Sequence, residues 1–196
     1  DNIMKSICVF CGSNSGKGVN YLVSAQKLGK LMAGKGLELV YGGGNVGIMG
    51  ELANTVLQYN GKVTGVIPED LVAREVAFKD ATELRIVKTM HERKALMSEL
   101  SDGFIMMSGG IGTLEEFFEA WTWAQLGIHS KPIGILNTDN YFGLIIDFIN
   151  KAVSEKFVHE LYLDMIIVDK DPISLLDKMD KYKPVGVRKW INKEDI

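Results

Sequence analysis

The fold class this sequence predicts is α/β, a doubly wound parallel sheet in three layers, and three observations predict it. Short apolar runs alternate with helical patterns from Ser6 to Met179. The runs are continuously apolar, as strands become when helices cover both faces of a parallel sheet. Three glycine-rich loops, opening at Gly12, Gly42 and Gly109, each follow such a run. They therefore share the carboxyl edge of the sheet, where open α/β folds bind ligands. Together these define a Rossmann-like architecture. With 196 residues, one domain over residues 1–180 is expected, followed by a charged peripheral tail over 181–196.

The first strand is Ser6–Phe10, and Cys11-Gly12-Ser13-Asn14-Ser15-Gly16 is turn material after it. A helix is expected over 19–33, because Leu22, Ala25, Leu28 and Met32 recur at helical spacing. Gly34-Lys35-Gly36 ends it. A strand over 37–41, a helix over 48–58 and a strand over 62–67 follow, the last stopped by Pro68. The polar stretch 69–82 predicts a surface loop or short helix lying over the site rather than core. Strands are then expected over 84–87, 103–107, 132–136 and 164–168, with helices over 89–100, 114–126 and 141–153. Asp171-Pro172 reads as an N-cap with proline at the first helical position, starting a helix that runs to about Met179.

Composition removes several classes of function. The chain is 46% hydrophobic and 24% charged, with a net charge of −3. No global basic field exists for nucleic acid or an anionic membrane. No apolar run reaches the roughly 18 residues of a membrane span. The stretch DNIMKSICVF has no charged leader followed by a long apolar core, so no signal peptide is expected and a cytoplasmic protein is. Cys8 and Cys11, three apart on a strand, fall on opposite faces, a poor geometry for a disulfide or a shared metal. His91, His129 and His159 show no metal-ligand spacing. Phe117, Phe118, Trp121 and Trp123 lie on one predicted helix and suit core or subunit interface better than base stacking.

Four motifs carry chemical possibilities. Gly42-x-Gly44-x-x-Gly47 matches the dinucleotide fingerprint but follows the second strand, where NAD binding normally follows the first. A glycine loop contacting phosphate or ribose, or a tight turn without ligand, also fits. Gly16-Lys17 lacks the spacing and the Ser/Thr of a P-loop. Thr89 with Glu92 makes a capping box at the start of a helix. Arg93 and Lys94 in that first turn oppose the helix dipole, which an anion nearby would offset. The fourth motif is Ser108-Gly109-Gly110-Ile111-Gly112-Thr113-Leu114-Glu115-Glu116, a strand-to-helix turn. Glycines there let backbone approach a ligand, and the helix start offers unpaired N–H groups to an anion. Thr113 and Glu116 also fit a second capping box. A carboxylate beside a phosphate cradle suggests chemistry on whatever carries the phosphate.

Taken together, Gly42-Gly43-Gly44-Asn45-Val46-Gly47-Ile48-Met49-Gly50, Met90-His91-Glu92-Arg93-Lys94 and the motif from Ser108 to Glu116 resemble the LONELY GUY family, often labelled lysine decarboxylases. The likeness continues through the stretch from Trp121 to Pro132 and through Gly134-Ile135-Leu136-Asn137. The resemblance implies hydrolysis of the N-glycosidic bond of an adenosine 5′-monophosphate, commonly N6-prenylated, to free base and ribose 5-phosphate. It also implies no cofactor, and a homodimer or an assembly of dimers. It places the catalytic pair on Arg93 and Glu116 and the phosphate loop on Gly109, Gly110, Ile111, Gly112 and Thr113. Ser13, Gly42, Gly43, Gly44, Met90 and Lys94 would complete the nucleotide pocket. Two positions depart from the pattern: Ser108, where the family motif begins with proline, and Phe78, where relatives often carry histidine. A non-catalytic nucleotide or cofactor carrier on the same fold is the alternative function. A decarboxylase would need a lysine-centred pyridoxal phosphate motif, and none is recognisable.

Overall fold

A computed structural model describes residues 4–186. Seven strands form one all-parallel sheet: β1 Ser6–Phe10, β2 Glu38–Tyr41, β3 Val63–Pro68, β4 Glu83–Val87, β5 Gly103–Met106, β6 Ile133–Leu136 and β7 Ile166–Asp169. Their spatial order is β4-β3-β2-β1-β5-β6-β7. Among the described residues, five helices lie between strands, α1 Val19–Gly34, α2 Gly47–Gln58, α3 Met90–Glu99, α4 Ile111–Gln125 and α5 Gly143–Ser154, and α6 Pro172–Asp180 follows β7. Most boundaries fall within one or two residues of expectation. The tail splits: residues 181–186 are described, and residues 187–196 lie outside the described residues.

Strand parity builds two cores. Ile7, Val9, Leu39, Tyr41 and Ile105 face α1, α2 and α6, meeting Leu28, Met32, Leu52 and Leu175. Cys8, Phe10, Val40, Phe104 and Met106 face the opposite layer, meeting Met97 of α3, Phe117 and Trp121 of α4, and Ile149 of α5. Cys11 belongs to the first core and Cys8 to the second, and both are free thiols, as their spacing predicts. Among the aromatics of α4, Phe117 and Trp121 are core, and the Trp121 indole N–H donates to Tyr162 O at 3.0 Å.

Two elements correct the sequence reading. The helix expected from Leu114 begins at Ile111, with Gly110 as an N-cap that lends no side-chain bond. Thr113 is thus inside the first turn, and it does not form a capping box with Glu116. At Thr89 the forward half of the box forms, Thr89 Oγ1 accepting from Glu92 N–H at 3.1 Å, while the Glu92 carboxylate reaches one residue further back and accepts from Lys88 N–H at 2.8 Å. The stretch 69–82 lies over the cavity edge but is not all surface. Phe78 is buried in the first core, and its N–H donates to Gly43 O at 2.8 Å.

The order of the strands positions the site. From β1 the chain winds outward to β4, then α3 returns it to β5 on the other side of β1. The loops after β1 and β5 consequently diverge and leave a crevice at the sheet's carboxyl edge, the switch point of a doubly wound fold.

Candidate functional site

A cavity of about 640 Å³ fills that crevice, walled by Gly12, Ser13 and Asn14 after β1, by the segment from Ser108 to Thr113 after β5, and by Gly42, Met90, Arg93 and Glu116. Two hydrogen bonds hold its floor together. Gly12 N–H donates to Ser108 O at 3.0 Å, joining the two diverging loops, and Met49 N–H donates to Gly12 O at 3.2 Å. The start of α2 presses onto the β1 loop at Gly47, which has φ of +56°. A Cβ there would lie 2.3 Å from the Ser13 carbonyl carbon, so only glycine fits.

The start of α4 is uncapped, an arrangement that suits an anion. Its ladder begins with Leu114 N–H donating to Gly110 O at 3.2 Å. The N–H groups of Ile111, Gly112 and Thr113 are left without a backbone acceptor among the described residues, at the positive end of the helix dipole. No acidic residue stands in the first turn. Glu116 sits directly after that turn and lines the same cavity. It is half-buried, and no hydrogen-bond donor or ion-pair partner meets its carboxylate among the described residues. Burial pushes its pKa up to about 7, against the opposing pull of the Arg93 charge. Because Thr113 is not its capping partner, this carboxylate is free for other work.

Arg93 is buried, 4% exposed, and mostly committed. Its Nε donates to Val66 O at 3.0 Å, and Nη2 donates to Gly42 O at 2.6 Å and pairs with Glu75 at 3.0 Å. Nη1 has only the Met90 sulfur at 3.9 Å, so this nitrogen retains N–H groups to offer a ligand. The geometry requires glycine at 42, where a Cβ would lie 2.1 Å from Nη2. Arg93 faces Glu75, not Glu116, within ion-pair distance. It acts on Glu116 through space rather than by gripping it.

Of the residues expected at the site, Ser13, Gly42, Met90, Arg93, Gly109, Gly110, Ile111, Gly112, Thr113 and Glu116 line the cavity. Lys94 does not. Its ammonium pairs with Glu115 at 2.6 Å and Glu119 at 2.8 Å, tying α3 to α4 behind the cavity wall. Gly43 and Gly44 do not line it either. Their backbone docks the 69–82 segment, through Phe78 N–H to Gly43 O and a bridge from Gly44 to Ala77. The glycine fingerprint thus serves the protein's own packing at its second position.

The sequence did not flag Glu75, Tyr21, Asn14 or Tyr141, which also line the cavity. The Tyr141 hydroxyl donates to Gly109 O at 2.6 Å, and its ring meets Tyr21 edge-on at 5.7 Å. Position was the available signal for Asn14 and Tyr141, each of which follows the carboxyl end of a strand. Glu75 gave no signal within its polar stretch. Among the described residues, no group of three His, Cys, Asp or Glu is placed to hold a metal ion. His129 is held by Ala120 O at 2.8 Å, and burial lowers its pKa. No described helix is long and apolar enough to cross a membrane.

A family model described as possible lysine decarboxylase matches residues 49–179. Its implied cofactor does not fit here. Pyridoxal phosphate enzymes use a lysine for the Schiff base, and no lysine among the described residues stands in the cavity wall. The chain is 45% identical over 181 residues to the probable cytokinin riboside 5′-monophosphate phosphoribohydrolase LOGL9 of Oryza sativa subsp. japonica, covering 92% of this chain and 80% of that one. It is 43% identical over 184 residues to the cytokinin riboside 5′-monophosphate phosphoribohydrolase LOG3 of Arabidopsis thaliana, covering 94% and 86%. Among solved structures, the Moco carrier protein from Chlamydomonas reinhardtii superposes with a TM-score of 0.67 at 21% identity, covering 90% of this chain and 96% of that one. At that identity the likeness establishes the fold.

Proposed function

The chain belongs to the LONELY GUY family of cytokinin riboside 5′-monophosphate phosphoribohydrolases, and on that premise we propose that it hydrolyses the N-glycosidic bond of an adenosine 5′-monophosphate. The products are the free base and ribose 5-phosphate, and N6-substituted substrates fit the names of its relatives. One observation carries this assignment to the cavity: an uncapped helix start for the phosphate, with the unpaired Glu116 carboxylate one turn further on.

The phosphate docks on the N–H groups of Ile111, Gly112 and Thr113, anchoring the ribose toward Glu116. Breaking the glycosidic bond builds positive charge on the ribose, as in glycoside hydrolysis. The ionised Glu116 stabilises that charge and orients or deprotonates the attacking water. Its pKa of about 7 makes it a competent base near neutral pH. Arg93 presents Nη1 to the ribose or phosphate. We place the working form in the cytoplasm as a homodimer or an assembly of dimers. Exposed apolar residues Leu144, Phe148 and Phe157 supply surface that a second copy would cover.

The test is incubation with AMP and with N6-isopentenyladenosine monophosphate, quantifying released base and ribose 5-phosphate. Release from either is expected, and their ratio reports the base preference. Tight nucleotide binding without release would make the chain a carrier. Glu116→Gln should keep nucleotide binding while cutting turnover by about a hundredfold or more, and unchanged turnover would remove Glu116 from the mechanism.

A further inference from the structure

We propose that Ser108 is a substrate-binding residue, its hydroxyl donating a hydrogen bond to the phosphate-monoester oxygen seated on the start of α4; this rests on the phosphoribohydrolase reading of the cavity. Among the described residues, Ser108 Oγ is the one buried side-chain nitrogen or oxygen with no hydrogen-bond partner. The residue is 6% exposed and lines the cavity immediately before the phosphate loop. Folded proteins rarely leave such a group unsatisfied, because the bond it made to water in the unfolded chain is lost without replacement. The oxygen itself has almost no surface open to the cavity, but its residue lines the wall beside the start of α4, so a turn about χ1 that brings the hydroxyl to a ligand there gives it the partner it lacks.

The chemistry of the surroundings selects that partner. The Ser108 carbonyl is already taken by Gly12 N–H, which fixes the backbone and leaves the hydroxyl its choice of staggered positions. The N–H groups of Ile111, Gly112 and Thr113, which line the same cavity further along this loop, are donors only. An atom that meets them and Ser108 together must be an acceptor, and the helix dipole makes an anionic acceptor the favoured one. The hydroxyl adds a side-chain donor to a cradle otherwise made of backbone. A phosphate monoester could come from the substrate nucleotide or from the product ribose 5-phosphate, and both would meet the same group.

The experiment compares wild type and Ser108→Ala in the full chain by calorimetry with AMP, ribose 5-phosphate and adenosine, alongside the Tm of the free proteins. Ser108→Ala should weaken AMP and ribose 5-phosphate by about ten- to hundredfold, as expected for a hydrogen bond to a charged group. Adenosine affinity should stay unchanged, and the free variant should melt at the same temperature as wild type or higher. Loss for AMP but not for ribose 5-phosphate would still support the contact and assign it to the substrate complex. Unchanged affinity for both phosphate ligands would overturn the proposal, as would an equal loss for adenosine, which would mark a change of pocket shape. A wild type that binds AMP without cleaving it would fell the hydrolase reading while leaving the phosphate contact measurable.

Discussion

Glu116 is the residue whose environment decides most. Its pKa of about 7 means that the ionised base is present in the free enzyme only as the pH rises through that value. The expected kcat/KM therefore falls below pH 7, about tenfold per unit once protonation is complete. A flat profile from pH 5 to 8 would exclude Glu116 as the base. The same shift carries a stability cost. The folded state holds the proton up to about pH 7, where an ordinary glutamate releases it near 4.5. The folded-state advantage is thus full below about pH 4.5 and is lost as pH rises through 7. Ionised Glu116 then costs about 1–3 kcal/mol. Glu116→Gln should gain Tm relative to wild type between pH 5 and pH 8, and a pH-independent difference would refute this.

Among elements, α3 is the one that organises the site's charge. Its Arg93 fastens the ends of β2 and β3, through Gly42 O and Val66 O, to the 69–82 segment through Glu75. Arg93→Ala would leave two buried carbonyls and a carboxylate unpaired, so it should cost about 3–5 kcal/mol of stability as well as activity. Denaturant melts check this, and a variant inactive yet fully stable would assign Arg93 to chemistry alone. Gly42→Ala should act in the same direction from the other side, because its methyl must displace the guanidinium. Lys94 joins α3 to α4 through Glu115 and Glu119. Replacing it with Met should lower Tm modestly, by the roughly 1 kcal/mol of a part-exposed pair network, while leaving the Kd for AMP nearly unchanged. A large loss of AMP affinity would return Lys94 to the ligand site.

At the scale of the whole molecule, the switch between β1 and β5 makes the cavity, and ligand binding there should stabilise the entire sheet. AMP at a hundred times its Kd contributes about 2.7 kcal/mol, read as a rise in Tm. NAD should give no comparable rise, since the glycine fingerprint spends Gly43 and Gly44 on internal packing. Protection by NAD in place of AMP would reinstate the dinucleotide reading.

The sequence by itself determined the alternation of strands and helices, because hydrophobic periodicity and glycine punctuation are local and nearly unopposed in a sheet covered on both faces. It also determined the carboxyl edge as the side that carries the cavity, the opposite-facing Cys8 and Cys11, and the loop from Gly109 to Thr113 as part of the cavity wall. Tertiary structure decided what local patterns cannot encode. A capping box at Thr113 and an open helix start three residues earlier satisfy the same local rules, and packing of the loop from Ser108 to Gly110 against Gly12 selected the second. Lys94 and Arg93 are adjacent in a helix, so about 100° of rotation sends one to the cavity and the other to Glu115 and Glu119. Glu75 reaches Arg93 across 18 residues, and the Ser108 hydroxyl lacks a partner only once every neighbour is in place. Such pairings are made across the sheet, where sequence distance carries no record of them.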